Sequence, residues 1–226
     1  MLKLLDLYCC AGGAAVGYHR AGWDVTGVDI NAQPNYPFKF YQADALDFVQ
    51  EHGHEFDAIH ASPPCQGYSA LSAVHGNLHP MLIPATRQLL DQIGLPYIIE
   101  NVIGAPLRCD VMLCGEMFKL AVIRHRIFEL GNWSMKQPEH IPHRGRVAGF
   151  RHGEWFEGPY FAVYGRGGGK GTVSQWQEAM DIHWTKVRRE IVEAIPPAYS
   201  ELLGKSLITY LEQNKTKRGI IRACQK

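Results

Sequence analysis

The sequence predicts an α/β protein whose open, mostly parallel sheet carries helices on both faces. Short apolar runs, typical of buried strands, occur at Leu2–Tyr8, Trp23–Ile30 and Phe56–Ala61. A glycine turn and a run of small residues separate the first two, which gives the strand–turn–helix–strand unit of nucleotide-binding sheets. Ligands bind such sheets at the carboxyl ends of the strands, so the residues that follow these strands are candidates for a site.

The N-terminal unit places acidic residues at the ends of successive strands. Its turn contains Gly12 and Gly13 but lacks the G-x-G-x-x-G spacing of a dinucleotide site. Asp29 ends the second strand, and a third predicted strand, Phe38–Leu46, ends near Asp44. Such carboxylates can accept hydrogen bonds from a ribose diol or an adenine amino group. The alternative is that both acids only cap helices.

A glutamate ends another predicted strand. The helix predicted at Pro84–Gly94 leads into the apolar strand Leu95–Val102, which carries Glu100 near its end. Burial should raise the pKa of this carboxyl group, so that it holds a proton and can act as a general acid.

Two arginines lie close together in a later apolar run. The alternation of Leu120–Leu130 predicts a strand with Arg124 and Arg126 on one face. The pair faces either an anionic or polar substrate or, as the simpler interpretation, solvent.

Cys65 lies in a loop where a strand cannot continue. The segment SPPCQGYS (62–69) follows a predicted strand, and proline lacks the N–H group that a strand needs. A disulfide is not expected, because six cysteines without an export signal indicate reduced thiols. No C-x2-C pair is present, and the H-x2-H pair His140 and His143 lies in a proline-rich loop, so we expect no metal site. A nucleophile and a buried structural cysteine remain.

Composition limits the classes of function. The chain has 226 residues, 46% hydrophobic content and a net charge of +1, which fits one domain with a small insertion. We expect no signal peptide, and the sequence has no run of about 20 apolar residues that could span a membrane. We expect a cytoplasmic monomer without a membrane partner.

Taken together, these motifs resemble the cytosine-C5 methyltransferase family. The segments that carry the resemblance follow the family's order over nearly the whole chain: DLYCCAGG (6–13, cofactor loop), SPPCQGYS (62–69, catalytic loop), ENV (100–102), RHR (124–126, the end of Q-x-R-x-R) and EAIPPAYSELLG (193–204, closing motif). More narrowly, the chain resembles the compact form of phages and bacteria, where restriction–modification is one setting.

The resemblance implies a Rossmann-like fold and transfer of a methyl group from S-adenosylmethionine (SAM) to C5 of cytosine in duplex DNA, leaving S-adenosylhomocysteine. Cys65 would add to C6 of a flipped-out base, and Glu100 would donate a proton at N3. Arg126 would hold O2, and Arg124 would support the loop or a phosphate. Two alternatives are a tRNA-type RNA cytosine-C5 methyltransferase and a DNA-binding pseudoenzyme.

The resemblance also assigns two sets of binding residues. The cofactor set comprises Tyr8, Cys10, Ala11, Gly12, Gly13, Asp29, Ile30, Asp44, Ala45 and Pro64. The substrate set comprises Gln66, Ser69, Asn101, Arg166 and Lys170. The sequence departs from the family pattern at Cys10, where glycine is usual, at Val122, where glutamine is usual, and at VEAIPP (192–197) in the closing motif.

A recognition insert is predicted between the catalytic segments. The expected division is a catalytic domain at 1–130 and 173–213, an insert at 131–172 and a basic tail at 214–226. The insert has six Lys or Arg residues against three Glu, which suits phosphate contact. Since it is short, we expect it to specify a site of roughly two to four base pairs.

Overall fold

One seven-stranded sheet lies at the centre of the computed structural model, which describes residues 1–64, 81–152, 154–164 and 171–224. The spatial order of its strands is β3-β2-β1-β4-β5-β7-β6. The first five in this order run parallel, whereas β7 is antiparallel to β5 and β6 is antiparallel to β7. The strands are β1 (Lys3–Leu7), β2 (Asp24–Asp29), β3 (Lys39–Gln42), β4 (Ala58–Ala61), β5 (Tyr97–Asn101), β6 (Val111–Leu113) and β7 (Arg126–Gly131).

Six α-helices accompany the sheet in the described part of the chain. A separate hairpin of β8 (Gly149–Arg151) and β9 (Glu154–Phe156) falls within the predicted insert, and short 3-10 turns occupy Gly53–Glu55 and Gly115–Phe118. The helices are α1 (Gly13–Arg20), α2 (Ala45–His52), α3 (Ile83–Ile93), α4 (Val173–Met180), α5 (Arg188–Glu193) and α6 (Pro197–Cys224).

Adjacent residues of β1 bury their side chains in different cores. Leu4 packs in a cluster with Tyr18 of α1 and Leu203 of α6. Leu5 packs in a second cluster with Val49 of α2 and Leu90 of α3. Because successive side chains of a strand point to opposite faces, helices cover both faces of the sheet. The predicted fold class, an open and mostly parallel α/β sheet, is confirmed.

The strand predicted at Leu120–Leu130 was wrong in its first half, since β7 begins at Arg126. The backbone before it pairs with other segments: the Leu120 N–H donates to Gly115, and the Ala121 carbonyl accepts from the Phe161 N–H, at 3.0 and 2.8 Å. These tertiary hydrogen bonds replace the strand ladder. The preceding short strand, β6, was not predicted.

The expected tail at 214–226 is not a separate element as far as the structure describes it, because α6 continues through it to Cys224. The division into catalytic domain and insert stays a prediction. Among the described residues, no helix is both long enough and apolar enough to cross a membrane.

Candidate functional site

The loop after β1 is shaped by left-handed backbone conformations. Tyr8, Cys10 and Gly12 have φ angles of 58°, 44° and 88°. The Cys10 N–H donates to Oδ2 of Asp29 at 3.1 Å, and the Asn31 N–H donates to Oδ1 of the same carboxylate at 2.9 Å. Asp29 therefore fixes the turn. Since φ near 44° favours glycine, the cysteine at position 10 keeps the backbone shape that a glycine would adopt there.

Helix α1 begins against the C-terminal part of the chain. A β-carbon at Gly13 would lie 2.5 Å from the Ile195 carbonyl oxygen, and one at Gly17 would lie 2.0 Å from the Pro197 carbonyl oxygen. The Trp184 indole donates to the Ala11 carbonyl oxygen at 2.8 Å. The small residues of α1 therefore allow the closing segment to pack closely against this helix. The departure of residues 192–197 from the family pattern does not prevent this contact.

The predicted adenosine-binding residues lie at the carboxyl ends of β2 and β3. These strands are parallel neighbours, with Asp29 opposite Gln42. Asp29 is buried, whereas 64% of the Ile30 surface is exposed. Asp44 caps α2, since its Oδ1 accepts from the Leu46 and Asp47 N–H groups at 2.8 and 3.2 Å. Helix capping, the alternative left open by the sequence, is therefore present at Asp44.

Tyr8 and Ala45 lie beside this edge. The Tyr8 hydroxyl is 2.9 Å from Oγ1 of Thr86 on α3, which connects the loop after β1 to that helix. Ala45 is buried at the first position of α2. Both residues therefore flank the strand ends that the sequence assigned to the cofactor.

Glu100, at the end of β5, is buried and forms an ion pair with Arg126, whose Nε lies 3.0 Å from Oε1. Burial raises the pKa of Glu100, and the opposing influence of Arg126, Ser62 and Arg124 offsets only part of that rise. A carboxyl group of this kind retains a proton more readily than an exposed one does, which is the property that a general acid needs.

Arg124 differs from its expected setting. The side chain is buried, and its guanidinium donates to the carbonyl oxygens of Val163 and Val192 at 2.9 and 2.5 Å. Arg124 therefore does not face solvent, which was the simpler of the two interpretations of the arginine pair. Its side chain connects the insert to the closing segment. Its role in supporting the loop or contacting a phosphate stays a prediction.

Asn101 joins β5 to the proline loop. Its Nδ2 donates to the carbonyl oxygen of Pro63 at 2.9 Å, and its Oδ1 accepts from the Val102 N–H at 2.9 Å. Pro64 is half-buried at the end of the described segment. Several predicted residues lie outside the described residues: Cys65, Gln66, Ser69, Arg166 and Lys170.

Sequence reasoning missed a buried histidine beneath this loop. His60 on β4 contacts the Tyr18 hydroxyl through Nδ1 at 3.0 Å and the Ser62 hydroxyl through Nε2 at 2.9 Å. Burial lowers the pKa of His60 to about 3, so the imidazole is neutral. Its position inside an apolar strand that precedes the proline loop is the sequence signal that could have revealed it.

Comparisons with known proteins agree with this fold. No family model matches the chain. A type II methyltransferase of Fusobacterium nucleatum, M.FnuDI, is 27% identical over 113 residues, which cover 46% of this chain and 33% of that protein. The match thus spans only about a third of the length of this curated relative.

Two solved structures resemble the chain over nearly its whole length. One is assigned as a DNA modification methyltransferase in an Escherichia coli prophage, with a TM-score of 0.62, 14% identity, and coverage of 94% of this chain and 100% of the other. The second is the Schizosaccharomyces pombe methyltransferase Dnmt2, with a TM-score of 0.61, 16% identity, and coverage of 90% and 97%. At these identities, the likeness shows a shared methyltransferase fold.

Proposed function

We propose that this chain is a cytosine-C5-methyltransferase-like enzyme that transfers a methyl group from SAM to C5 of cytosine in duplex DNA. The observation that carries the proposal is the connection between Glu100, Arg126 and the proline loop. The ion pair positions an acid and a cation together, and Asn101 ties the same strand end to Pro63. The next residues of that loop lead directly to Cys65.

The proposed chemistry begins with covalent addition. C5 of cytosine is a poor nucleophile, but addition of the Cys65 thiolate at C6 converts the ring to an enamine. Glu100 donates a proton at N3 as negative charge develops there, and Arg126 binds O2. C5 would then take the methyl group that SAM supplies, with S-adenosylhomocysteine as the leaving group. Loss of the C5 proton to water and return of the N3 proton to Glu100 would accompany expulsion of the Cys65 thiolate. The target base must leave the duplex to reach these groups.

The described residues at the ends of β1 and β2 fit a SAM site. The turn around Gly12 lies next to the buried Asp29, whose two oxygens already order the backbone on each side. When bound, SAM supplies an electrophilic methyl group on a sulfonium. Asp29 would bind the ribose hydroxyls, with Ile30 against the adenine and Asp44 near its amino group.

Replacing Asp29 with alanine should weaken SAM binding by about 1–3 kcal/mol, because a buried hydrogen-bonding carboxylate is lost. Titration calorimetry with SAM measures the change, and Asp24→Ala, at the exposed start of the same strand, is the control. Equal affinity of the Asp29 variant and the unaltered protein would place the cofactor elsewhere.

The insert is proposed to contact DNA mainly through phosphates. Its described residues include Trp155 and Tyr164, which expose 41% and 60% of their surfaces, and Arg146, which is also exposed. Exposed aromatic rings and basic groups within one segment suit base stacking and phosphate contact. Arg166 and Lys170 would add two further phosphate contacts.

Trapping with duplex DNA that contains 5-fluorocytosine tests the proposed function. Fluorine at C5 cannot leave as a proton, so the enzyme should stop as a covalent adduct that peptide mass spectrometry assigns to Cys65. The Cys65→Ser protein should form no adduct, whereas Cys109→Ser, at an exposed cysteine, should form it normally. An adduct at Cys9, Cys10 or Cys114 would overturn the assignment.

An RNA cytosine is the second candidate substrate, because the tRNA-type cytosine-C5 methyltransferases share the motifs that carry the resemblance. Incubation of the protein with radiolabelled SAM and either duplex DNA or tRNA separates the two. Label in tRNA alone would refute the DNA proposal. DNA binding in gel shifts without label in either polymer would identify a pseudoenzyme.

A further inference from the structure

Four potential metal ligands from separate parts of the sequence meet beside β7. One ligand atom from each of Cys114, His125, His140 and His143 lies within 4.8 Å of the ligand atoms of the other three. From this convergence, we propose that the four side chains bind one Zn²⁺ ion. The site is distinct from the methyl-transfer residues, and the inference does not rest on the proposed function.

The distances are close to those of a tetrahedral zinc site. Zinc binds imidazole nitrogen at about 2.0–2.1 Å and thiolate sulfur at about 2.3 Å, which separates neighbouring ligand atoms by roughly 3.3–3.6 Å. Sγ of Cys114 lies 3.3 Å from Nε2 of His143, and Nε2 of His125 lies 3.1 Å from Nε2 of His140. Since no two of the four ligand atoms are more than 4.8 Å apart, small side-chain rotations would complete the tetrahedron.

The three imidazoles converge on each other as well as on the thiol. Their ring centroids are 5.3, 5.3 and 5.1 Å apart for the pairs His125–His140, His125–His143 and His140–His143. Two hydrogen bonds explain two pairwise contacts, but they give no reason for all four groups to gather around one point. One cation bound by all four groups accounts for the whole arrangement.

The ligand set points to the ion and its role. Zn²⁺ binds both thiolate sulfur and imidazole nitrogen, and four protein ligands fill the tetrahedron without leaving a position for water or substrate. The site is therefore structural. Cys114 is buried, His125 and His140 are half-buried, and His143 is exposed, so the ion can enter from the His143 side.

The location shows what the ion would hold together. Cys114 directly follows β6, and His125 directly precedes β7 between the two arginines of the RHR motif. His140 and His143 belong to the first part of the insert. Zinc would thus fasten the insert to the start of the strand that presents Arg126 to Glu100.

Glu116, close to Cys114 in sequence, also connects the insert to the sheet. Glu116, in the 3-10 turn after Cys114, accepts a hydrogen bond from the Tyr160 hydroxyl at 2.5 Å and pairs with Nε of Arg144 at 2.8 Å. Tyr160 and Arg144 both belong to the insert. The metal site therefore lies at an existing connection between the insert and the sheet.

The sequence did not reveal this site, because its ligand spacing is unusual. The ligands are separated by ten, fourteen and two residues, and the chain lacks the C-x2-C pair of common zinc sites. The H-x2-H pair lies in a proline-rich loop, which does not by itself predict a metal site. Folding supplies the other two ligands from the ends of β6 and β7.

Metal analysis of the full chain tests the inference. Protein purified without chelators should contain one zinc per chain by elemental mass spectrometry. Metal-free protein, prepared with a chelator, should bind Zn²⁺ in competition with a chromophoric chelator. His143→Ala and Cys114→Ser should each weaken that affinity by more than about 100-fold, since even groups that only orient metal ligands contribute 10–100-fold.

Matched controls separate ligand loss from general damage. His54→Ala and Cys109→Ser remove an exposed histidine and an exposed cysteine outside the cluster, and both should retain full zinc content. Co²⁺ should give a thiolate charge-transfer band that Cys114→Ser lacks. If Cys114→Ser fails to fold, the exposed position of His143 leaves the His143→Ala measurement decisive.

The proposal is overturned if folded, reconstituted wild-type protein retains less than a tenth of an equivalent of zinc. It is also overturned if the His143→Ala protein binds zinc as tightly as the wild type does. Retention of one equivalent by wild type, with loss only in the cluster variants, supports it.

Discussion

Replacing Glu100 with glutamine should slow methyl transfer by about 10²–10⁴-fold, the usual contribution of a general acid. Glutamine keeps the shape of the side chain and can donate a hydrogen bond, but it has no acidic proton to transfer to N3. Single-turnover transfer of radiolabelled methyl groups to duplex DNA measures the effect. Adduct formation with 5-fluorocytosine DNA should slow in parallel, because both need the same addition step.

The pH dependence of the methyl-transfer rate provides a second test of Glu100 as the general acid. Because burial raises the pKa of Glu100, the protonated acid persists above the usual range of a carboxyl group. The methyl-transfer rate should fall as pH rises through this raised pKa. The rate of the Glu100→Gln protein should not show that decline. Glu51→Gln, at an exposed site, is the control. Normal single-turnover rates in a folded, SAM-binding Glu100→Gln protein would remove Glu100 from the chemistry.

Replacing Glu129 with glutamine should lower the free energy of unfolding by about 3 kcal/mol, near the low end for a broken buried ion pair. Glu129 is fully buried on β7 and accepts two hydrogen bonds from Arg87 on α3, both at 2.7 Å. The Arg108 N–H donates a third at 2.9 Å. Because the Arg87 side chain is 26% exposed, water can stabilise part of its unpaired charge, which limits the loss.

The pH dependence of the free energy of unfolding and a matched variant give two further tests of the Glu129 ion pair. Burial alone would raise the pKa of Glu129, but the bonds from Arg87 and Arg108 hold it below the usual value. The stabilisation is therefore present above the carboxyl group's unfolded pKa and declines as pH falls through the lower folded value. Denaturant unfolding at neutral pH measures the difference. Glu201→Gln, which breaks a pair with Lys205 whose side chains are 27% and 60% exposed, should cost less than about 1 kcal/mol.

Much of the sheet could be predicted because four of its parallel strands, β1, β2, β4 and β5, are buried on both faces. Leu2–Tyr8 and Phe56–Ala61 are apolar runs with no helical period, and each contains a strand of the structure. Gly94 ends α3 as predicted, with φ of 75°. Local sequence determined these elements, so no knowledge of distant contacts was needed.

Arg124 and His60 show where this reasoning fails. The strand pattern assigned Arg124 to a face of the sheet, but its backbone lies before β7 and its guanidinium bonds the carbonyls of Val163 and Val192. The partners of His60, Tyr18 and Ser62, lie on α1 and after β4. Such arrangements depend on tertiary contacts that periodicity does not encode. The role of Glu100 as an acid stays a prediction, although its burial is confirmed.

The contact of the first loop with the closing segment has a consequence for biosynthesis. Ala11 accepts its hydrogen bond from Trp184, a residue 173 positions later, and Gly13 lies against the still later Ile195. On the ribosome, the loop emerges early but lacks these packing partners until residues 184–195 have been made. Contacts so distant in sequence form slowly. The nascent chain should therefore complete the packing of this loop only after the closing segment has emerged, and until then the loop is exposed to non-native contacts.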